Sequence, residues 1–241
     1  MRGDGHKELH RQLTSMMPQA KDPHVNGNAS LDRQRFTALW RKVSEDSRSG
    51  SSDMVFDELV SLYTGPDRHY HCAEHIRFCL DKLDEAREAG NYSINVEMAV
   101  WFHDAIYEAG DSENERKSAS WFAQCTRGHL SREMIDEISQ LIVATTHRDT
   151  PNSWQEKLLV DVDLSSFGLP WEKFLEDGHN IRLEFGHLSD EEFVSNQSRF
   201  LNGLLERPVI FHTRHFSDCY EAVARQNIRG LLKAFSEGKR P

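Results

Sequence analysis

The chain has 241 residues, enough for one sizeable buried core, so its length favours a single domain. Its formal net charge of −10 excludes a general role in binding nucleic-acid backbones, which are themselves negative. The charge does not exclude a small phosphorylated ligand, because one metal ion and a few arginines create a local positive site.

The four cysteines indicate a reducing compartment. They show neither CxxC spacing nor a dense framework, so we expect free thiols in a cytoplasmic protein. No apolar run approaches the ~20 residues that cross a bilayer. The N-terminal residues also lack the apolar stretch of a secretory signal. The sequence therefore predicts no association with a membrane.

Residues 1–30 differ in composition from the rest of the chain. They are polar and interrupted by proline, asparagine and glycine, which predicts a flexible leader. His6 and His10 have a helical i, i+4 spacing, but a solvated tail is the stronger interpretation. We expect residues 31–241 to form the single domain.

From residue 31 onward, apolar residues recur at the helical period. In chain order, such stripes lie near residues 36–43, 56–63, 76–83, 96–103, 135–142 and 220–231. We find no convincing strand-like alternation and no internal repeat. The pattern predicts an all-α domain of roughly eight to ten helices.

Two histidine-containing segments are the first candidates for chemistry. In RHYHCAEH, residues 68–75, His71 and His75 are one helical turn apart and are expected to project from the same side. In VWFHDAIY, residues 100–107, His103 lies on the apolar stripe, where a buried ring needs a partner. Asp104 points about 100° further round the helix. These two side chains can converge on one ion only if the end of the helix approaches it.

A third segment, LLVDVDL at residues 158–164, places Asp161 and Asp163 among apolar residues. Buried carboxylates are costly unless a cation or strong donors compensate them, although a helix cap is an alternative role. Imidazoles and carboxylates in one interior form a mixed nitrogen and oxygen site. Such a site suits Mn²⁺, Fe²⁺, Co²⁺, Ni²⁺ or Zn²⁺, with Mg²⁺ as a further option.

The order of these motifs resembles the HD superfamily, and specifically the group of predicted metal-dependent HD phosphohydrolases. The stretches RHYHCAEHI, AVWFHDAIYEAGDSENERKSA, LIVATTH and LLVDVDLSSFG carry the resemblance. NIRLEF and EAVARQNI extend it over roughly residues 33–235. The resemblance implies an HD-domain helical bundle. It also implies metal-activated water that cleaves a phosphate ester or pyrophosphate of a nucleotide or another small phosphorylated metabolite.

The resemblance also implies a set of metal ligands. His71 matches the first metal histidine of the family, and His103 with Asp104 matches the dyad that names the superfamily. Asp163 best matches the final aspartate, with Asp161 as the alternative.

The resemblance does not identify the general base. Single-metal HD nucleotidases commonly carry a glutamate three residues after the dyad, where this chain has Tyr107. We expect Asp104 to take the proton of the attacking water, or else Glu115 or Glu108. Glu115 is the preferred of the two glutamates.

Substrate contacts are expected from arginines and from the remaining histidines. Arg68, one turn before His71, is the first choice for gripping a phosphate and assisting catalysis. His147 has alternative roles as a ligand of a second metal or as a helix cap. Arg199 is a weaker candidate for phosphate binding. The predicted substrate-binding residues are Arg68, His75, His147 and Arg182.

Two further functions remain open from the sequence. Some relatives of the HD fold are diiron oxygenases, which would require His147 as an additional ligand, with His75 as a further candidate. A non-catalytic nucleotide-binding module is the other alternative, and the departure at Tyr107 favours it slightly.

Overall fold

The computed structural model describes residues 31–44 and 51–238, and within these residues the chain is helical without strands. The all-α prediction is thereby confirmed. The predicted leader, with His6 and His10, lies outside the described residues. The helices are α1 (Arg33–Val43), α2 (Ser51–Tyr63), α3 (Ala73–Glu88), α4 (Ile94–Phe102), α5 (Asn114–Thr126), α6 (Arg132–Ala144), α7 (Trp154–Leu164), a 3-10 helix (Ser165–Gly168), α8 (Trp171–Glu184), α9 (Asp190–Glu206) and α10 (Arg214–Ser236). Among the described helices, none is long and apolar enough to cross a membrane.

Several helices begin at strong local capping signals. The Ser153 side chain accepts the backbone N–H of Glu156, whose carboxylate in turn accepts the backbone N–H of Ser153. Ser189 and Glu192 form the same reciprocal pair at the start of α9. Each pair satisfies backbone donors that a helix start leaves without partners, which fixes where α7 and α9 begin.

Helix α4 is the most deeply buried helix of the fold. Every residue from Val96 to Phe102 is buried, and α4 contacts α1, α3, α5, α6 and α7. A helix that is apolar on all sides must be surrounded by other elements. The polar residues that follow its last turn, His103 and Asp104, are therefore placed in the interior.

The 3-10 helix packs closely against α10. A Cβ atom on Gly168 would lie 2.6 Å from the Cβ of Tyr220, so only glycine allows this approach. Asn227 of α10 donates its amide to the carbonyls of Phe167 and Leu169, at 2.9 and 2.8 Å. These contacts hold the C-terminal end of α7, where both aspartates lie, against α10.

Candidate metal centre

The dyad of His103 and Asp104 lies at the C-terminal end of α4. His103 Nδ1 is 2.9 Å from the Val100 carbonyl oxygen, which can only accept, so Nδ1 donates this hydrogen bond. Nε2 is therefore the ring nitrogen that can bind an ion. His103 Nε2 lies 3.1 Å from Asp104 Oδ2. Because α4 ends at Phe102, the two adjacent side chains converge, which meets the condition set by the sequence.

His75 of α3 faces this dyad. Its Nε2 lies 3.2 Å from His103 Nε2, 3.4 Å from Asp104 Oδ2 and 3.2 Å from Asp163 Oδ1. Two imidazole nitrogens at this separation repel each other unless a proton or a cation lies between them. The sequence assigned His75 to substrate binding, with a ligand role in the oxygenase alternative. The structure places its ring against His103, Asp104 and Asp163, and these four residues are called the cluster below.

Asp163 of α7 lies between His75 and His103 on one side and His147 on the other. Its Oδ1 faces His75 and lies 3.5 Å from His103 Nε2, while its Oδ2 lies 2.8 Å from His147 Nε2. His147 has a φ of 54°, a left-handed conformation that is rare for residues with a Cβ. The backbone after α6 therefore adopts an unfavourable geometry that brings this imidazole to the carboxylate.

Asp161 faces away from the histidines and supports α10. Its two carboxylate oxygens accept the backbone N–H groups of His212 and Thr213, at 2.7 and 2.6 Å, just before α10. Burial raises the pKa of this carboxyl to about 6. Of the two aspartates that the sequence left open, Asp163 is the one that lies against the histidines.

Cys79 forms a four-residue group with His75, His103 and Asp163. It lies one turn after His75 on α3, is fully buried, and places Sγ 3.6 Å from His75 Nε2. One donor atom each from His75, Cys79, His103 and Asp163 lies within 4.8 Å of the others, so this group can hold a metal ion. The sequence analysis treated Cys79 as a free thiol within an apolar stripe, although its i, i+4 spacing from His75 was a usable signal.

His71 lies in the loop before α3, because that helix begins at Ala73. The expectation that His71 and His75 share one face of a helix was therefore wrong, although their ring centroids are only 6.1 Å apart. His71 Nδ1 is 2.6 Å from Glu184 Oε2, which leaves Nε2 as the nitrogen available to an ion. His71 adjoins the four-residue group without belonging to it.

Glu184, at the end of α8, was missed by the sequence reasoning. Its Oε1 accepts the backbone N–H groups of residues 69–71 at 2.7–2.9 Å, while Oε2 contacts the His71 ring. Burial is the largest influence on the pKa of Glu184 and raises it, but the contacts with His71 outweigh burial and lower it. A carboxylate that orients a histidine in this way is a common second layer of metal sites.

Arg68 has a positioning role in the structure. Its guanidinium donates to the carbonyls of His71, Asp104 and Ala105 at 2.7–2.8 Å. It thereby joins the loop before α3 to the segment after α4. These hydrogen bonds direct the guanidinium toward the backbone, in place of the phosphate contact expected from the sequence.

Arg182 is also engaged elsewhere. It donates to the carbonyls of Phe185 and Leu188 and to the Asp190 carboxylate, beside the turn between α8 and α9. The expected phosphate contact of Arg182 therefore has no support in its hydrogen bonds.

Two pockets lie near these residues, one beside Arg68 and Glu184 and the other beside His75. One, of about 440 Å³, is lined by Arg68, Glu184 and Tyr107, whose ring stacks on His71 with 4.0 Å between centroids. The other, of about 200 Å³, lies between α3 and α8, reaches His75, and carries the cations Arg77 and Lys173.

The two glutamates proposed as bases lie in different surroundings. Glu115, in the first turn of α5, is half-buried; burial, together with the charges of Asp104 and Asp163, raises its pKa. Glu108 is exposed, and its backbone N–H is bound by the Asn114 side chain. Glu115 is therefore the glutamate whose pKa is raised by the charges of Asp104 and Asp163.

The cluster is strongly polarised in the metal-free protein. Burial favours the neutral forms, yet the attraction of histidines lowers the pKa values of Asp104 and Asp163. Burial likewise lowers the pKa of His103, but the two carboxylates outweigh it and raise this pKa well above its usual value. The side chain of His103 is 1% exposed, whereas those of Asp104 and Asp163 are 12% and 14% exposed. The carboxylates thus form the side of the cluster that solvent reaches.

No family model, curated protein or solved structure matches the chain.

Proposed function

We propose that this chain is a metal-dependent phosphohydrolase that cleaves a phosphate ester or pyrophosphate of a nucleotide or another small phosphorylated metabolite. The observation that carries the proposal is the convergence of imidazole nitrogens and carboxylate oxygens from α3, α4 and α7, with the carboxylates on the solvent side. The motif resemblance to HD phosphohydrolases supports hydrolysis as the reaction.

The residues present fit a divalent transition-metal ion. His103 is held with Nε2 as its free donor, and the two carboxylates supply the negative charge that a dication requires. When bound, such an ion lowers the pKa of coordinated water toward ~7 and offsets negative charge in the transition state. Glu184 and Arg68 fix the surrounding loops, so that the donor atoms are positioned before substrate arrives.

Proton transfer and phosphate binding fall to residues around this centre. Glu115 is the proposed base, because its half-buried carboxyl senses the charges of Asp104 and Asp163. Arg77 is the proposed phosphate-binding cation, since it lines the pocket that reaches His75. Lys173 lines the same pocket but pairs with Glu176 at 2.8 Å. Arg77 thus replaces Arg68 and Arg182 in this role.

The test is phosphate release from a panel of nucleotides and sugar phosphates. The metal-stripped protein is resupplied separately with Mn²⁺, Co²⁺, Zn²⁺, Fe²⁺, Ni²⁺ or Mg²⁺, and the Asp104→Ala variant is compared with Asp67→Ala, an exposed aspartate beside the larger pocket. We expect release that depends on metal, disappears in Asp104→Ala and persists in Asp67→Ala. If the metal-loaded wild type releases no phosphate from any compound of the panel, the proposal is contradicted and a non-catalytic binding module is favoured.

A diiron oxygenase is the second candidate, and the position of His147 favours it. His75 and His147 contact opposite oxygens of Asp163, so that carboxylate faces two groups of nitrogen donors. Iron content and oxygen consumption with small organic substrates separate the two functions. Oxygen uptake that requires two irons per chain, without phosphate release, would replace the hydrolase proposal.

A further inference from the structure

Cys79 brings a sulfur atom to a cluster for which the sequence predicted only nitrogen and oxygen donors. Its side chain is fully buried on α3, directly one turn after His75. Its Sγ lies within 4.8 Å of a donor atom on each of His75, His103 and Asp163. A buried cysteine at such a position is either a packing residue or a ligand, and the distances to the other donor atoms allow the second role.

The separations among the donor atoms match those around a tetrahedral ion. With metal–nitrogen bonds of about 2.0 Å and metal–sulfur bonds of about 2.3 Å, ligand atoms lie roughly 3.3–3.6 Å apart. His75 Nε2 is 3.6 Å from Cys79 Sγ, 3.2 Å from His103 Nε2 and 3.2 Å from Asp163 Oδ1. Asp163 Oδ1 is 3.5 Å from His103 Nε2. Two of these four separations lie in the expected range, and the two of 3.2 Å are slightly shorter. The separation of 3.6 Å is the one that includes Cys79, whose Sγ lies within 4.8 Å of the His103 and Asp163 donor atoms.

Cys79 also occupies the appropriate side of the cluster. The solvent side is formed by Asp104 and Asp163, whereas Cys79 and His103 close the cluster from the interior. Four protein ligands fill a tetrahedral ion, so water would have to add as a fifth ligand, from the outer side where the carboxylates lie. The sulfur lies beside the His75 ring, 3.6 Å from Nε2 and 3.9 Å from Nδ1.

We propose that Cys79 binds the metal through Sγ as a thiolate, releasing its proton to solvent, and that this sulfur selects Zn²⁺ or Co²⁺ over Mg²⁺ and Mn²⁺. Thiolate ligands favour the softer ions, whereas sites built only from carboxylates and water favour the harder ones. The proposal rests on the metal centre of the proposed function and is independent of the reaction catalysed there.

The test is spectroscopic and needs no substrate. The full metal-free chain is titrated with Co²⁺ and examined for a sulfur-to-cobalt charge-transfer band, and the Zn²⁺-loaded chain is examined by X-ray absorption for a zinc–sulfur distance of about 2.3 Å. The variant is Cys79→Ser, and the matched control is Cys72→Ser, a half-buried cysteine adjacent to His71. Zn²⁺ and Mn²⁺ affinities are measured for both variants.

We expect the band and the zinc–sulfur distance in the wild type and in Cys72→Ser, and their loss in Cys79→Ser. The Zn²⁺ affinity of Cys79→Ser should fall by at least about tenfold, with a smaller change for Mn²⁺. A bound Zn²⁺ with only nitrogen and oxygen neighbours in the wild type overturns the proposal, even if Cys79→Ser fails to fold. A band that survives Cys79→Ser overturns it as well. Failure of the wild type to bind any ion removes the metal centre itself, whereas absence of phosphate release alone contradicts only the hydrolase.

Discussion

The conformation of His147 is the clearest sign of a functional constraint on a single residue. Its φ of 54° is disfavoured for any residue with a Cβ, and glycine is the usual occupant of such positions after a helix. The imidazole reaches Asp163 Oδ2 at 2.8 Å from this backbone. The contact at the cluster thus comes with a cost in local backbone energy.

We predict that His147→Gly is more stable than His147→Ala by about 1 kcal/mol, the reverse of the usual order inside helices. Both variants lose the imidazole, so only the backbone preference at residue 147 differs. The free energy of unfolding in urea, measured in the presence of a chelator, gives the comparison. If alanine is equal or better at this position, the left-handed backbone is not a source of strain.

The second prediction concerns the choice between two neighbouring glutamates. Glu115→Gln should lower kcat about 100-fold or more, because a general base contributes at least this factor. Glu108→Gln should leave kcat nearly unchanged, since that side chain is exposed to solvent. Equal losses in the two variants would show that Glu115 has no special part in proton transfer.

At the scale of helices, α7 separates two carboxylates that lie only two residues apart. Asp161 accepts the N–H groups before α10, and Asp163 faces the histidines. Because successive side chains on a helix point about 100° apart, residues i and i+2 face nearly opposite sides. One turn of α7 thus contributes both to the packing of α10 and to the candidate metal site.

We predict that Asp161→Ala lowers the free energy of unfolding by about 1–3 kcal/mol, because two backbone N–H groups lose their acceptor. Metal affinity should be retained, since the carboxylate of Asp161 is bound to the backbone N–H groups of residues 212 and 213, away from His75 and His103. Urea unfolding of the metal-free protein and calorimetric titration with Zn²⁺ measure the two quantities. A variant of unchanged stability that no longer binds metal would invert the roles of the two aspartates.

The helical class was predictable, but no apolar stripe marked α5, α7, α8 or α9, and some helix boundaries were also missed. Apolar periodicity identified the helical class because each helix buries one face, and α4 buries all of them. The start of α3 was misplaced because Cys72, at the N-cap, makes no side-chain capping hydrogen bond that a sequence pattern would reveal. His71 was therefore assigned to a helix that begins two residues after it.

The candidate metal site was predictable only in part, because a local sequence pattern does not reveal contacts between distant parts of the chain. His103, Asp104 and Asp163 stand out as polar residues within apolar stretches, where burial requires a partner. Glu184 pairs with a loop more than a hundred positions earlier in the chain, and no local pattern encodes such a contact. Arg68 illustrates the converse case, because its charge suggested a phosphate whereas its partners are backbone carbonyls.

At the scale of the whole molecule, the charges of the cluster make the metal-free protein sensitive to pH. The raised pKa of His103 gives stability that is present below its usual pKa of 6.5 and is lost as pH rises through the higher value of the folded state. The lowered pKa values of Asp104 and Asp163 give stability that is present above the usual 3.8 and is lost in stronger acid. The contribution of the cluster is therefore greatest between these limits.

We predict that the metal-free protein loses stability as pH rises above 6.5, and that His103→Gln has a smaller slope. A residual slope is expected, because the pKa of His71 is also raised: burial lowers it, but Asp104 and Glu184 outweigh burial. Urea unfolding in a chelator over a series of pH values gives the slopes. Stability that rises with pH in this range would contradict the assigned ionisation of the cluster.

The most direct test of the account is the metal content of the protein after equilibrium dialysis against Zn²⁺. The wild type is compared with Asp163→Ala, which removes a carboxylate facing His75 and His103, and with Asp161→Ala, which leaves the cluster unchanged. The account predicts at least one bound ion per chain in the wild type and in Asp161→Ala, with loss of the ion in Asp163→Ala. A wild type without bound metal, or binding that survives Asp163→Ala, would contradict the existence of this centre.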